Sequence, residues 1–288
     1  MGAVLGDWGN SRLRLWRIEG ANIVERREGP GIAQVGDPAD SLTSALGDWP
    51  EERMILCGMA GARNGLHEVP YVPCPAGRSA WLERSVKLDL SGRKLAVAAG
   101  LSTRDATGRP DVMRGEETQI FGALALDPRL ASGKHQLVLP GTHSKWVKVS
   151  EGRIGEFRTF ITGEMFALLE KSSMLVGAAG SDADVQAGFR TGLDRSREGF
   201  ALAAALFEAR AAQLLDGRPA GWARGFVSGL LVGCEISAMQ TSERVVLVGS
   251  PDLSNRYGTA LTRFGVAFDT MDGDACVMAG LRLLDARA

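Results

Sequence analysis

The chain has 288 residues, of which 45% are hydrophobic and 23% are charged, and its formal net charge is −1. This composition is typical of a soluble globular protein of two domains, and the balanced charge argues against a surface for nucleic acid or an anionic membrane. No apolar run approaches the ~20 residues that span a bilayer, and residues 1–18 lack the pattern of a signal peptide.

Residues 4–18 are predicted to form two short strands joined by a tight turn. Asp7 ends the first strand between two glycines, Gly6 and Gly9, which allow close approach to the main chain. A carboxylate beside such a turn suits a hydrated Mg²⁺ ion on a phosphate. The alternative is an ordinary hairpin whose aspartate caps its turn. The magnesium–phosphate interpretation is favoured because a second hairpin of similar design occurs near residue 143.

The next elements alternate between helix and strand, which predicts an α/β domain with a mixed sheet. Asp37 and Pro38 are typical of a helix start, and residues 54–57 form a buried strand that runs into the loop 58–65. Ligands in such sheets bind beyond the carboxyl ends of strands. Arg63 in this loop is therefore a candidate for binding a carboxylate, and a solvated loop arginine is an equal alternative.

Residues 111–119 form a dense polar cluster at a predicted helix start. Pro110 and Asp111 are expected to cap a helix that continues to Leu126. Acidic residues in its first turn suit the helix dipole, so a structural role is one interpretation. The cluster is denser than a cap requires, and the second interpretation is that it faces a cleft between domains.

The second hairpin has strands at 136–140 and 146–149 around the tip 141–145. Backbone N–H groups, Thr142, Ser144 and Lys145 can all donate hydrogen bonds to phosphate oxygens. His143 is isolated, and a lone histidine is more often packed or solvated than a catalytic base.

The last third of the chain alternates helices and strands. Helices are predicted over 200–215, 226–239, 253–264 and 274–284, with a buried strand at 245–248 that ends in Gly249 and Ser250. A strand, a glycine and a helix in succession are typical of a nucleotide-binding junction. The apolar periodicity of the first helix predicts a buried stripe made of Phe200, Ala203, Ala204, Phe207, Ala211 and Leu214.

Cysteine usage excludes two classes of protein. The four cysteines, at 57, 74, 234 and 276, show no CxxC spacing, and the three histidines do not cluster with them. This argues against structural zinc and against a disulfide framework. The reducing cytoplasm is therefore the expected location.

Taken together, these motifs resemble the 2-dehydro-3-deoxygalactonokinase family of the sugar kinase, actin and heat-shock ATPase superfamily. The resemblance rests on residues 6–9, 58–59 with 70–75, 111–119, 140–146 and 162–164, and it extends from the first strand to the last helix. Asn10 stands where the family pattern usually carries threonine, which leaves Ser11 or the Asn10 amide to make that contact. Gly249-Ser250 stands where relatives in the superfamily often have two glycines.

The resemblance implies two ribonuclease H-like α/β domains with mixed sheets flanking an interdomain cleft. The first domain is expected over residues 1–113, joined by the terminal helix 273–288, and the second over 114–272. It also implies an ATP- and Mg²⁺-dependent kinase that phosphorylates 2-dehydro-3-deoxy-D-galactonate at its terminal hydroxyl.

The resemblance also assigns roles to individual residues. Asp7 would hold the metal, Asp111 would be the base, and Glu116 is the reserve candidate. ATP contacts are expected from Gly9, Asn10, Ser11, Gly141, Thr142, Ser144, Lys145, Gly249 and Ser250, and sugar-acid contacts from Trp8, Arg63, Arg114 and Glu117.

Two other functions stay open at this point. One is a kinase of another sugar or keto-deoxy acid, and the other is a non-catalytic nucleotide-binding sensor of the same fold. The expected partners are the small-molecule sugar acid and ATP, with no nucleic acid and no membrane. Any self-association is expected to give a homodimer.

Overall fold

The computed structural model describes residues 2–50, 53–90, 92–176, 180–199 and 201–286. The chain divides into two compact units: the first comprises Met1–Leu137, Val147–Arg158 and Met271–Ala288, and the second comprises Val138–Trp146 and Thr159–Thr270. The domain limits expected from the sequence, 1–113 with 273–288 and 114–272, remain a prediction.

The strands and helices are numbered in chain order. The strands are β1 (Gly2–Trp8), β2 (Arg12–Glu19), β3 (Asn22–Pro30), β4 (Arg53–Gly58), β5 (Val72–Pro73), β6 (Val86–Leu90), β7 (Arg93–Val97), β8 (Leu101–Arg104), β9 (Pro110–Met113), β10 (Lys134–Leu139), β11 (Ser144–Ser150), β12 (Arg153–Phe160), β13 (Val245–Gly249) and β14 (Phe268–Asp272). The helices are α1 (Pro38–Leu46), α2 (Arg78–Arg84), α3 (Glu116–Leu126), α4 (Thr162–Ser172), α5 (Asp182–Arg195), α6 (Leu202–Leu215), α7 (Ala220–Met239), α8 (Pro251–Arg263) and α9 (Gly273–Asp285).

The strands form three sheets. The largest has the order β3-β2-β1-β4-β7-β6, the second has the order β12-β11-β10-β13-β14, and a small sheet has the order β5-β8-β9. In the largest sheet β1 pairs antiparallel with β2 and parallel with β4. Both larger sheets place their first four strands in the same order: third, second, first, fourth. The prediction of an α/β fold with mixed sheets is confirmed.

Helix α3 packs on the terminal helix α9 through two glycines. A Cβ atom on Gly122 would lie 1.8 Å from the carbonyl oxygen of Cys276, and one on Gly280 would lie 2.0 Å from that of Thr118. Only glycine lets the two backbones come this close. The first unit therefore includes the last helix of the chain as well as its first strands.

The predicted helix start at Pro110 and Asp111 is wrong. These residues lie in β9, which pairs antiparallel with β8, and α3 begins only at Glu116. Gly115, which precedes the helix, has φ +112°, a conformation that ends the extended segment and that side chains disfavour. Antiparallel pairing with the preceding strand β8 has overridden the local capping pattern.

The predicted buried stripe of α6 is also wrong. Phe207 and Leu214 are 60% and 63% exposed, whereas Ala205 and Ala209 are fully buried in the cluster that contains residues of α7. Small side chains on the packed face let the two helices approach closely. The apolar periodicity therefore indicated the wrong face of α6. Phe200 lies outside the described residues.

Among the residues that the structure describes, no helix has both the length and the apolar character needed to cross a bilayer.

The close contact of α3 with α9 is testable by adding one methyl group. Gly280→Ala should lower the free energy of unfolding by about 1–3 kcal/mol, because the new Cβ must displace backbone. Ala275→Ser is the matched control, because Ala275 is exposed on the same helix. Urea unfolding of the two variants measures the difference. Equal stability would show that the two helices can separate without loss.

Candidate active site

Asp7 lies at the end of the central strand β1, and the sheet register determines its neighbours. It is opposite Arg14 on β2 and opposite Cys57 on β4. Its Oδ2 accepts a hydrogen bond from the Arg14 guanidinium, and its Oδ1 lies 3.6 Å from the Cys57 Sγ. Burial, followed by the charges of Asp7 and Glu117, raises the pKa of the Cys57 thiol well above its usual value. The thiol therefore stays protonated and donates to Asp7.

Two glycines leave space around the Oδ1 atom of Asp7. A Cβ on Gly58, which has φ +74°, would lie 3.2 Å from this oxygen, and one on Gly115 would lie 4.0 Å away. Within the described ranges no three or more His, Cys, Asp or Glu side chains form a group that could hold a metal ion. A single carboxylate fits Mg²⁺ bound through its water shell and through nucleotide phosphates.

The tip of the first hairpin accepts backbone hydrogen bonds from the segment that follows β3. The N–H groups of Ile32 and Ala33 donate to the carbonyls of Gly9 and Asn10 at 3.1 and 3.2 Å. The side chains of Asn10 and Ser11 are exposed at this tip. Both remain predicted ATP contacts.

Trp8, a predicted sugar-acid contact, is fully buried. Its indole N–H donates to the carbonyl of Pro30 at 3.1 Å. This placement favours a role in holding the first hairpin against β3, and substrate contact by Trp8 remains a prediction.

Asp111 and Glu116, the two candidate bases, lie on different elements. Asp111 is half-buried on β9, where its Oδ1 accepts a hydrogen bond from the Val112 N–H at 2.7 Å. Glu116 is the first residue of α3, and its Oε2 accepts from the Arg114 N–H at 3.2 Å. Asp111 is therefore not a helix cap.

Glu117 is a fully buried acid. Its carboxyl accepts hydrogen bonds from the Gly115 N–H at 2.7 Å and from the Thr118 hydroxyl at 3.1 Å. Burial, followed by the nearby charge of Glu116, raises the pKa of Glu117 to about 8. The side chain is thus mostly uncharged near pH 7 and holds the turn that precedes α3.

Arg114 and Arg63, the candidate carboxylate ligands, have contrasting environments. Arg63 is exposed, whereas the Arg114 guanidinium stacks 4.3 Å from the ring centroid of Tyr71 and donates to the Val69 carbonyl at 2.7 Å. Its Nε and Nη1 atoms are buried and have no hydrogen-bond partner among the described residues. Buried donors without acceptors are costly, so these two N–H groups have unused capacity for an anion.

The tip of the second hairpin packs on the start of helix α4. The Glu164 N–H donates to the Thr142 carbonyl at 2.9 Å, and a Cβ on Gly163 would lie 2.3 Å from the Gly141 carbonyl oxygen. His143 Nε2 lies 2.7 Å from a Glu164 carboxylate oxygen. Thr142 is exposed beside the first N–H groups of the helix, an arrangement that suits phosphate.

Behind this tip lies a buried network centred on Glu235 of α7, which sequence reasoning missed. Its carboxylate accepts hydrogen bonds from Trp146 Nε1 at 2.7 Å, from the Tyr257 hydroxyl at 2.9 Å and from the Thr162 hydroxyl. Burial raises its pKa, although these hydrogen bonds oppose the shift. A single acid within the apolar run of α7 was the signal that could have revealed it.

Two predicted phosphate ligands of this hairpin lie in the protein interior. Ser144 is fully buried, with its hydroxyl 2.8 Å from that of Tyr257. Lys145 is 3% exposed, and its Nζ donates to the His143 carbonyl at 3.2 Å. Their contacts with phosphate remain predictions.

The second unit also contains a pocket of about 340 Å³. It lies beside the first turns of α8, directly after Gly249 and Ser250, and its walls come from α4, α5, α7 and α8. Phe166 and Phe189 give it apolar surface, and Asn255 and Arg256 give it polar groups. Sequence reasoning found the junction at Gly249 but not this pocket, because four separate helices form it.

The strand order of the two larger sheets, together with the hairpin tips, defines an α/β fold of the sugar kinase class. The profile of the 2-keto-3-deoxy-galactonokinase family matches residues 7–284. The chain belongs to this family.

Two relatives and a solved structure agree with that membership. A protein of Rhizobium meliloti, provisionally named 2-dehydro-3-deoxygalactonokinase, is 39% identical over 96% of this chain and 94% of its own length. The 2-dehydro-3-deoxygalactonokinase of Escherichia coli is 33% identical over the same shares. A crystal structure of a Sinorhizobium meliloti protein with the same provisional name superposes with a TM-score of 0.89 at 37% identity, covering 99% of this chain and 96% of that one.

A more distant likeness concerns the fold alone. Component A of the (R)-2-hydroxyglutaryl-CoA dehydratase of Acidaminococcus fermentans has a TM-score of 0.51 at 12% identity, covering 99% of this chain and 98% of that one.

The raised pKa of Glu117 predicts a pH-dependent effect on stability. The unfolded chain releases this proton near pH 4.5, whereas the folded chain keeps it to about pH 8. The contribution of Glu117 is therefore complete below pH 4.5 and is lost as the pH rises through about 8. Glu117→Gln, which keeps the shape and one acceptor, should gain about 1–3 kcal/mol of unfolding free energy relative to the native protein between pH 5 and pH 8.5.

Urea unfolding across this pH range measures the gain. Glu28→Gln is the control, because the Glu28 carboxylate is on the surface, 66% exposed. A difference between Glu117→Gln and the native protein that stays constant with pH would contradict the assignment.

Proposed function

We propose that this protein transfers the γ-phosphoryl group of ATP to the terminal hydroxyl of 2-dehydro-3-deoxy-D-galactonate, giving the 6-phosphate and ADP. The observation that carries the proposal is the similarity, over 96% of the chain, to two proteins that bear the name of this kinase. Phosphoryl transfer depends mainly on positioning and on neutralising charge, and the described side chains supply groups for both tasks.

The second unit supplies the groups suited to the nucleotide. Phosphate oxygens would accept hydrogen bonds from the N–H groups of the tip 141–145 and from the first turn of α4. The pocket beside α8 is of a size that accommodates a nucleoside, with aromatic walls and a few polar groups. Gly249 and Ser250, which directly precede α8, are the expected backbone contacts of the nucleotide.

The first unit supplies the groups suited to the metal and the sugar acid. Asp7 would hold Mg²⁺ through water, and the bound ion would neutralise charge on the phosphates. The carboxylate of the sugar acid is assigned to Arg114 rather than to Arg63. Support comes from the two buried nitrogens of Arg114 that have no acceptor within the described part of the chain, and from the stacking of Arg114 on Tyr71.

Asp111 is proposed as the general base, with Glu116 as the alternative. The acceptor hydroxyl must lose its proton as the phosphoryl group arrives, and a half-buried carboxylate can take it. Asp111 uses one oxygen to accept the Val112 N–H. Glu116 likewise accepts a backbone N–H, from Arg114. Glu117 is less suitable because burial keeps it protonated near neutral pH.

The substrate class is tested by measuring ADP formation with a panel of acceptors. We expect strong activity with 2-dehydro-3-deoxy-D-galactonate, and little with neutral sugars or with the amide of the same acid. Arg114→Met should raise the KM for the sugar acid about 30-fold or more, because an N–H pair to the carboxylate is lost. Arg63→Met is the control and should change it little. Preference for a neutral sugar would overturn the proposal.

The base is tested by Asp111→Asn, which keeps an acceptor for the Val112 N–H but cannot take a proton. We expect kcat to fall about 100-fold or more, with unchanged ATP binding and unchanged thermal stability. Glu116→Gln, measured in parallel, should have the smaller effect. If the two variants reverse this order, Glu116 is the base.

A further inference from the structure

Arg14 has no role in the chemistry described above, although it makes the most direct contact with Asp7. The two residues are opposite one another in the register of β1 and β2. Arg14 Nη2 donates to Asp7 Oδ2, while Nη1 donates to Asp274 Oδ1. The Arg14 and Asp7 side chains are 21% and 17% exposed, so their ion pair is largely sheltered from solvent, whereas the Asp274 side chain is 56% exposed. The sheltered pair with Asp7 is therefore firmer than a surface pair would be.

Two further features fix the position of the Arg14 guanidinium. Its central carbon lies 5.5 Å from the ring centroid of Trp16 on the same strand. Its second partner, Asp274, lies in the first turn of α9, where Asp272 caps the helix by accepting the Ala275 N–H at 2.7 Å. The guanidinium is therefore held by a strand, an aromatic ring and a helix start, all within the first unit.

These contacts give the two oxygens of Asp7 different environments. Oδ2 is occupied by Arg14, whereas Oδ1 accepts the Cys57 thiol and faces the space left by Gly58 and Gly115. A free carboxylate would rotate and would attract a divalent cation with its full charge. With Arg14 in place, only Oδ1 is available to a cation, and the positive charge of Arg14 offsets part of the negative charge of Asp7.

We propose that Arg14 is a positioning residue that aims Oδ1 of Asp7 and weakens its affinity for a divalent cation. Asp7 would then hold the ion of a metal–nucleotide complex through water, and its reduced attraction would let that ion leave with the product. This inference rests on the proposed kinase function, since it gives Asp7 the metal-holding role.

The test compares metal binding with turnover in Arg14→Met, which removes the charge and keeps the length of the side chain. Mn²⁺ binding to the enzyme without nucleotide is followed by electron paramagnetic resonance of the free ion. We expect the dissociation constant for Mn²⁺ to fall about threefold or more, because a repelling charge is gone. We also expect kcat to fall about tenfold or more, because the carboxylate is no longer aimed. A merely structural role would weaken metal binding and turnover together.

Three further variants make the result decisive. Asp7→Asn combined with Arg14→Met should abolish the gain in Mn²⁺ affinity, which locates that gain at Asp7. Arg14→Lys keeps the positive charge but loses the two-pronged guanidinium that binds both carboxylates. It should therefore leave Mn²⁺ affinity unchanged and lower kcat about threefold. Arg12→Met is the control, because Arg12 is exposed on the same strand and makes only a 3.9 Å pair with Glu28.

The outcomes separate this inference from the proposed function. If the native enzyme transfers no phosphoryl group to any sugar acid, the proposed function fails, while the Mn²⁺ comparison still tests Arg14. If the native enzyme is active and Arg14→Met binds Mn²⁺ no more tightly, the inference is wrong. Should Arg14→Met not fold, an Arg14→Lys enzyme with native kcat overturns the inference.

Discussion

The register of β1 between β2 and β4 is the constraint on which the first unit depends. It places Asp7 opposite an arginine on one side and a thiol on the other, in the middle of a six-stranded sheet. A slip of one residue would turn the carboxylate to the opposite face. The buried apolar residues of β1, Ala3, Val4 and Leu5, make such a slip costly. The same packing that stabilises the sheet therefore positions the carboxylate of Asp7, the proposed metal-holding residue.

Each unit contains a buried acid with several hydrogen bonds. Glu117 holds the turn before α3 in the first unit, and Glu235 connects Trp146, Thr162 and Tyr257 in the second. Burying a carboxyl group is unfavourable unless it is neutral or well hydrogen-bonded, and both conditions occur here. Glu235 joins elements that are distant in sequence, whereas Glu117 binds its close neighbours Gly115 and Thr118. Removing one would leave several buried donors without a partner, so these networks favour one arrangement of each site.

Sequence alone predicted the features that depend on local chemistry. The glycine turn after Asp7, the helix that begins at Pro38 and the strand before Gly249 follow from short patterns, and the structure confirms these elements. The helix predicted from Asp111 was wrong because pairing of β9 with β8 is a contact between separate segments. Glu235 could have been noticed as the single acid in the apolar run of α7, but its partners could not be predicted, because they come from three other elements and only the folded chain brings them together.

The reaction proposed for this chain is phosphorylation of the terminal hydroxyl of 2-dehydro-3-deoxy-D-galactonate. The most direct measurement is ³¹P nuclear magnetic resonance of the purified protein with Mg²⁺, ATP and that acid. We expect one phosphomonoester per ADP formed, with the phosphorus coupled to the two protons on carbon 6. Release of inorganic phosphate without a phosphomonoester, or a phosphoryl group on another carbon, would contradict it.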